Sequence, residues 1–197
     1  MSFRIEEKIV LHISDYLNIK KMIKEESSDF FLYPPRQIKS LYFDNYNNDM
    51  FKESEEGSLP RKKIRIRTYP NSDKKKLFLE KKINSFEGKF KKVFLISERD
   101  FLSYCNLGIF DKMYNNCMPK FWVVYEREYF SYLGFRFTID KNITYHGYKN
   151  HQIENINDKI ILEIKSKKLE TDIFDGKFPF DRVRFSKYCE GFKLICR

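Results

Sequence analysis

The sequence has no long hydrophobic run. Its longest unbroken apolar stretch, Phe121 to Tyr125, falls far short of the roughly 20 apolar residues that a membrane-spanning helix needs. Glycine and proline are scarce, at seven and six residues, which excludes collagen-like and Pro/Gly low-complexity chains. The four cysteines, Cys105, Cys117, Cys189 and Cys196, form no CxxC pair and lie away from His12, His146 and His151. Their spacing therefore offers no zinc site. No Gly-rich phosphate loop and no Ser-His-Asp arrangement is present. The opening residues, Met-Ser-Phe-Arg-Ile-Glu-Glu-Lys, lack the apolar stretch of a secretory signal. A reduced, cytoplasmic protein with no membrane span is expected.

What is present is aromatic and basic. The 197 residues are 42% hydrophobic, with 20 Phe and 13 Tyr, enough for a buried core without disulfides in a single domain over 1–197. Lys and Arg number 38 against 28 Asp and Glu, a net charge of +10. Such a surplus calls for a polyanionic partner, or else reflects a lysine-rich solvated surface. The placement of the charges discriminates.

Alternating patterns predict eight strands, at 3–12, 38–44, 62–69, 77–83, 90–95, 121–130, 134–141 and 159–166. Helices are expected near 14–25, near 97–105 with Ser97 and Asp100 spaced as a capping box, and near 186–195. Residues 109–116 suggest a further helical turn. The stretches 45–60, 70–76 and 148–158 read as loops, as do Tyr33 to Arg36 and the polar region around Tyr145, His146 and His151. Phe178 to Phe180 reads as loop packing. The fold class expected is α+β: an eight-stranded, mainly antiparallel tunnel barrel with a basic lumen and flanking helices.

Residues two apart on a strand share a face. Sorted in that way, one face collects Arg4, Lys8, Lys63, Arg65, Arg67, Lys82, Arg127, Arg136, Lys165, Arg182 and Arg184. It also holds Glu6, Glu80, Asp140 and Glu163. Eleven bases and four acids leave this face a surplus of seven. A solvated face normally mixes signs, because like charges on neighbouring strands repel. Arginine outnumbers lysine there, which suits bidentate phosphate recognition. The few acids are suited to metal ligation or to orienting particular bases. Removing Arg65 or Arg67 is expected to spare the fold, since it relieves repulsion. The clusters Lys74 to Lys76 and Lys89, Lys91 and Lys92 are either a solvated hairpin or a basic mouth that captures polyanions.

The strand Arg4-x-Glu6-x-Lys8 resembles the opening of the triphosphate tunnel metalloenzyme superfamily. The chain further resembles one branch, the polyphosphate polymerase (VTC) domain, in the segments Ser40 to Asn45, Lys63 to Tyr69, Leu77 to Lys82, Tyr125 to Arg127, Arg136 to Asp140, Ile161 to Lys165 and Phe185 to Tyr188. Arg4 stands where the nucleotide triphosphatase branch usually has Glu, which favours the polymerase branch.

The resemblance implies that Lys8, Arg65, Arg67, Lys82, Arg127, Arg136 and Lys187 bind the triphosphate of ATP, or another nucleoside triphosphate, and the growing polyphosphate. Tyr125 and Ser186 would donate hydrogen bonds. The basic face adds Arg4, Lys63, Lys165 and Arg184 as further substrate contacts. Glu163 matches the glutamate that holds Mn²⁺ or Mg²⁺, with Glu6 and Glu80 as further candidates. The implied reaction transfers the terminal phosphoryl group of ATP to a phosphate chain. Three other readings stand beside it: a tunnel triphosphatase, a nonenzymatic polyphosphate-binding module, and a nucleic-acid-binding barrel. The last is disfavoured because most aromatics fall opposite the bases.

Overall fold

The computed structural model describes residues 5–26, 33–72, 75–132, 135–149, 153–155, 159–166 and 180–196. The elements run β1 (Ile5–Leu11), α1 (Ile13–Glu26), β2 (Tyr33–Asp44), α2 (Asp49–Glu56), β3 (Arg61–Thr68), β4 (Leu77–Ser85), β5 (Gly88–Ile96) and α3 (Glu98–Leu107). They continue with β6 (Ile109–Asp111), β7 (Asn115–Tyr132), β8 (Phe135–Gly147), β9 (Ile153–Asn155), β10 (Ile160–Ser166) and α4 (Lys187–Ile195). The fold is α+β around an antiparallel sheet of ten strands. Backbone hydrogen bonds among the described residues do not close this sheet into a barrel, which corrects the closed eight-stranded lumen expected from the sequence. No helix of the described residues is long and apolar enough to cross a membrane.

The chain forms two compact units. The first comprises Met1–Arg36, Tyr125–Ile143 and Ile156–Phe185. Its strands pair in the order β1-β10-β8-β7. One face is apolar, as alternation requires: Ile9 and Leu11 of β1, Ile160, Leu162 and Ile164 of β10, and Phe135, Phe137 and Ile139 of β8 are all buried. Helix α1 covers them with Tyr16, Ile19 and Ile23, a stripe at helical spacing. Phe180 packs against this core, as expected for the part of 178–180 that is described. The bases of these strands lie on the other face. Residues 182–186 form no strand, but the Val183 N–H donates to the Lys8 carbonyl at 2.8 Å.

The second unit comprises Gln37–Val124, Thr144–Asn155 and Ser186–Arg197. Its strands pair in the order β7-β2-β3-β4-β5, with β6 on β7 and β9 on β8. Register places Leu41 opposite Ile66 and Phe43 opposite Ile64, all buried. On the other face α4 packs through Tyr188 and Phe192 against Phe121.

Several local expectations are corrected. The loop read at 45–60 contains α2. Its first turn is capped from a distance: the Asp44 carboxylate accepts the N–H groups of Asn45, Met50 and Phe51. A cap six residues ahead escapes the local pattern used to find helices. The helical turn expected at 109–116 is β6, a turn and the start of β7. Tyr33 to Arg36 open β2 instead of preceding it, with the prolines at its exposed beginning, where a missing N–H is tolerated. Tyr145 and His146 belong to β8, and Tyr145 is buried; the polar neighbours in sequence concealed its alternation. His151 lies outside the described residues. The capping box at Ser97 and Asp100 is present as expected.

Gly191 explains how closely α4 approaches the sheet. A Cβ there would stand 2.4 Å from the Phe121 ring and 2.5 Å from the Tyr145 ring. Gly191→Ala is therefore expected to destabilise the protein by about 1–3 kcal/mol through overpacking, read as a lowered urea midpoint.

Candidate functional site: two basic clusters

In the second unit the polar faces of β2, β3 and β4 meet by register. Ser40 lies opposite Arg67, and Tyr42 opposite Arg65; Arg65 in turn lies opposite Glu80. The Arg65 Nε donates to Glu80 at 2.7 Å, and its Nη1 donates to the Tyr42 hydroxyl at 2.9 Å. The guanidinium is thus fixed on two sides. The other Glu80 oxygen accepts from Lys91 of β5 at 2.6 Å. Arg67 donates to Ser40 Oγ at 3.1 Å. Both Glu80 oxygens are engaged, one with Arg65 and the other with Lys91, so Glu80 orients these two bases. Burial raises the Glu80 pKa, but Arg65, Arg67 and Lys91 outweigh it and bring it to about 2. These bonds set an attractive contribution beside the repulsion expected for Arg65 among the other bases.

Helix α4 starts at this face. Ser186 caps it, accepting from the Cys189 N–H at 3.3 Å, and receives the Lys63 ammonium at 2.8 Å. Burial lowers the Lys63 pKa. Lys187, in the first turn, is partly exposed, and Lys82 is exposed. The Tyr188 hydroxyl donates to Asp44 at 2.6 Å, tying α4 to the cap of α2.

Tyr42 is the residue here whose protonation responds to pH in a useful range. Burial favours its neutral form, but the charges of Arg65, Arg67 and Lys63 and the hydrogen bond from Arg65 bring its pKa down to about 8. As the pH rises through about 8, a phenolate forms beside these bases and offsets part of their charge. Affinity for a polyanion is expected to fall through that range. Calorimetric titration of tripolyphosphate from pH 7 to 9, in wild type and in Tyr42→Phe, checks this; the fall belongs to the wild type and is absent from the variant.

The first unit holds the second cluster. Register aligns Lys8 with Glu163 and Glu163 with Thr138. Arg127 of β7 grips Asp140 with two bonds of 2.5 and 2.7 Å, and its Nη2 lies 3.6 Å from Glu163. Lys165 pairs with Glu163 at 3.0 Å. The Lys8 ammonium donates to the Phe185 carbonyl at 2.6 Å. Burial opposes ionisation of Glu163, yet Arg127, Lys165 and Lys8 hold it well below the usual carboxylate range. Tyr125 is buried, with the Arg127 guanidinium 5.4 Å from its ring centre. Arg182 pairs with Glu7 at 2.9 Å. Arg136 and Arg184 are exposed, and Glu6 is half-buried. Arg4 lies outside the described residues.

A divalent ion fits this cluster only in company with phosphate. Among the described residues no three His, Cys, Asp or Glu side chains form a metal-binding group. Glu163 supplies one ionised carboxylate. The buried Thr138 hydroxyl across from it has no hydrogen-bond partner among the described residues, so a polar guest at this position would satisfy it. One carboxylate suffices for Mg²⁺ or Mn²⁺ when phosphate and water provide the remaining ligands.

The sequence reading did not place Ser40 and Tyr42 at the site, and named Lys91 only within a cluster that was either a solvated hairpin or a basic mouth. Alternation along β2 would have found the first two, since Ser40, Tyr42 and Asp44 share a face. Lys91 needed the β4–β5 register.

The sequence matches the VTC domain family over residues 3–118 and 112–196, and the chain belongs to that family. Solved structures share the fold at low identity. A provisionally named adenylate cyclase from Bacillus halodurans is 12% identical, with a TM-score of 0.63, over 94% of this chain and 96% of that one. A protein from Hippeastrum, provisionally named an adenylyl cyclase and described as having a dominant triphosphatase activity, is 14% identical, with a TM-score of 0.64, over 97% and 96%. The PH1819 protein from Pyrococcus horikoshii is 16% identical, with a TM-score of 0.59, over 99% and 100%. No curated protein matches the sequence. At these identities the neighbours share the fold of this chain.

Proposed function

We propose that the protein is a polyphosphate polymerase that transfers the terminal phosphoryl group of ATP to a phosphate chain with the help of Mn²⁺ or Mg²⁺. The observation that carries this reading is the oriented state of the arginines. Arg65 is held by Glu80 and Tyr42, and Arg127 by Asp140, as fixed forks ready for phosphate oxygens. Phosphoryl transfer depends on positioning and charge neutralisation more than on covalent chemistry, and pre-oriented guanidiniums supply both.

Arg65, Arg67, Lys63, Lys82 and Lys187 are proposed as phosphate contacts of the second unit, with Ser186 as a hydrogen-bond donor. Lys8, Arg127, Arg136, Lys165 and Arg184 are proposed as those of the first, with Tyr125 beside them. Glu163 is proposed to hold the metal, which when bound neutralises phosphate oxygens. Glu6 lies on the same face as a lesser candidate. A terminal oxygen of the chain attacks the γ-phosphorus, the bond from that phosphorus to the bridging oxygen breaks, and ADP leaves with that oxygen. The chain grows by one phosphate. The attacking oxygen is already anionic, so no general base is required.

Triphosphate hydrolysis is the second reading, favoured by the activity described for the Hippeastrum neighbour. Incubation with ATP and Mn²⁺, followed by gel electrophoresis with polyphosphate staining and a free-phosphate assay, tests the proposal. A ladder of chains is expected. Free phosphate without chains would instead indicate a triphosphatase.

A further inference from the structure

The β4–β5 hairpin carries a surface that phosphate transfer does not use. Its strands are joined through Phe86 and Glu87, between the paired residues Ser85 and Gly88. Phe86, at the tip, is 82% exposed. Every residue from Lys89 to Leu95 is exposed, and β5 ends the strand order. Alternation puts Phe90, Lys92 and Phe94 on one face and Lys89, Lys91, Val93 and Leu95 on the other. Leu95 is 67% exposed, and Phe90, Val93 and Phe94 are each between 42% and 49%. Large apolar side chains exposed near one another, among Lys89, Lys91 and Lys92 with Glu87 the one acid at the tip, mark a docking surface.

Three occupants can be weighed by chemistry. A second copy adding its own β5 would bring two sets of Lys89, Lys91 and Lys92 together along the edge, which repels pairing. Single-stranded nucleic acid would stack bases on Phe90 and Phe94. It would leave the aliphatic Val93 and Leu95 and the tip Phe86 without a role. An anionic lipid surface uses all of them: apolar groups on both faces enter the boundary between headgroups and acyl chains, while lysines reach the phosphates.

We propose that this hairpin docks the protein on an anionic membrane surface, with Phe86 leading, Phe90, Val93, Phe94 and Leu95 at the headgroup boundary, and Lys89 and Lys92 on the lipid phosphates. Because Lys91 of the same strand bonds Glu80, which orients Arg65, docking brings the basic cluster of this unit to the membrane. The surface chemistry stands independently of the reaction proposed above.

The test is flotation of the full chain with vesicles of phosphatidylcholine alone and of phosphatidylcholine with phosphatidylglycerol. Binding is expected to the anionic vesicles only and to weaken with salt. The Phe86→Ser/Phe94→Ser double variant should bind them at least about tenfold less tightly, with unchanged melting temperature and tripolyphosphate affinity. Lys89→Glu/Lys92→Glu should abolish vesicle binding. Failure of the wild type to bind anionic vesicles would overturn the proposal. So would unchanged binding by the double Phe variant, which would leave only diffuse charge attraction. A poly(U) complex lost in the Phe variant without any vesicle binding would assign the surface to nucleic acid. A dimer in sedimentation that the same variant dissolves would assign it to a second copy.

Discussion

Arg127→Ala is expected to lower the unfolding free energy by about 3–5 kcal/mol, because it removes the guanidinium that pairs with buried Asp140 and faces Glu163. Asp140 is fully buried and accepts two bonds from this guanidinium. Glu163 loses a neighbour at the same time and keeps Lys165. Urea unfolding reads the loss. A cycle with Asp140→Asn separates the ion pair from packing: the double variant should lose less than the sum of the single changes, since the uncompensated charge is then gone. A loss below about 1 kcal/mol for Arg127→Ala would mean that the cluster is solvated and that the pair contributes as little as a surface pair.

Arg65→Ala should have the larger effect on activity. Removing one pre-oriented donor from a transferring group typically costs about 10²–10³-fold in rate, and that range is expected for the proposed phosphoryl transfer. Stability should fall less than for Arg127→Ala, because Glu80 keeps Lys91. Arg65→Lys should recover little, since an ammonium cannot bond Glu80 and Tyr42 in the same fork. Full activity in Arg65→Ala would show that its bonds to Glu80 and Tyr42 are structural only.

The sheet faces were the part of this protein most readable from sequence. Apolar and polar residues alternate from Ile64 to Arg67 in β3, from Phe135 to Asp140 in β8 and from Leu162 to Lys165 in β10, and the apolar set is buried. The alternation holds because one side of each strand packs into the apolar core while the other side carries charged groups that pair with one another. It also identified Asp140 and Glu163 as rare acids among bases, and both turned out to be paired with Arg127 or Lys165. Alternation cannot report which base meets which acid, because register across strands depends on connections far apart in the chain. The Arg65–Glu80–Lys91 chain spans three strands and became visible only through pairing. Closure of the sheet was equally out of reach: eight strand patterns are compatible with open or closed pairing. Helix α2 was missed because its cap, Asp44, sits at the end of a strand, and Tyr145 because its neighbours in sequence are polar.

The most direct test of the central claim, a metal-assisted phosphate site at Glu163, is calorimetric titration of tripolyphosphate with and without Mn²⁺ in wild type and in Glu163→Gln. Mn²⁺ is expected to tighten binding by at least about tenfold in the wild type. In Glu163→Gln the metal should have little effect, while metal-free binding persists or strengthens as the face loses a negative charge. An equal Mn²⁺ enhancement in both proteins would place the ion elsewhere and contradict the account.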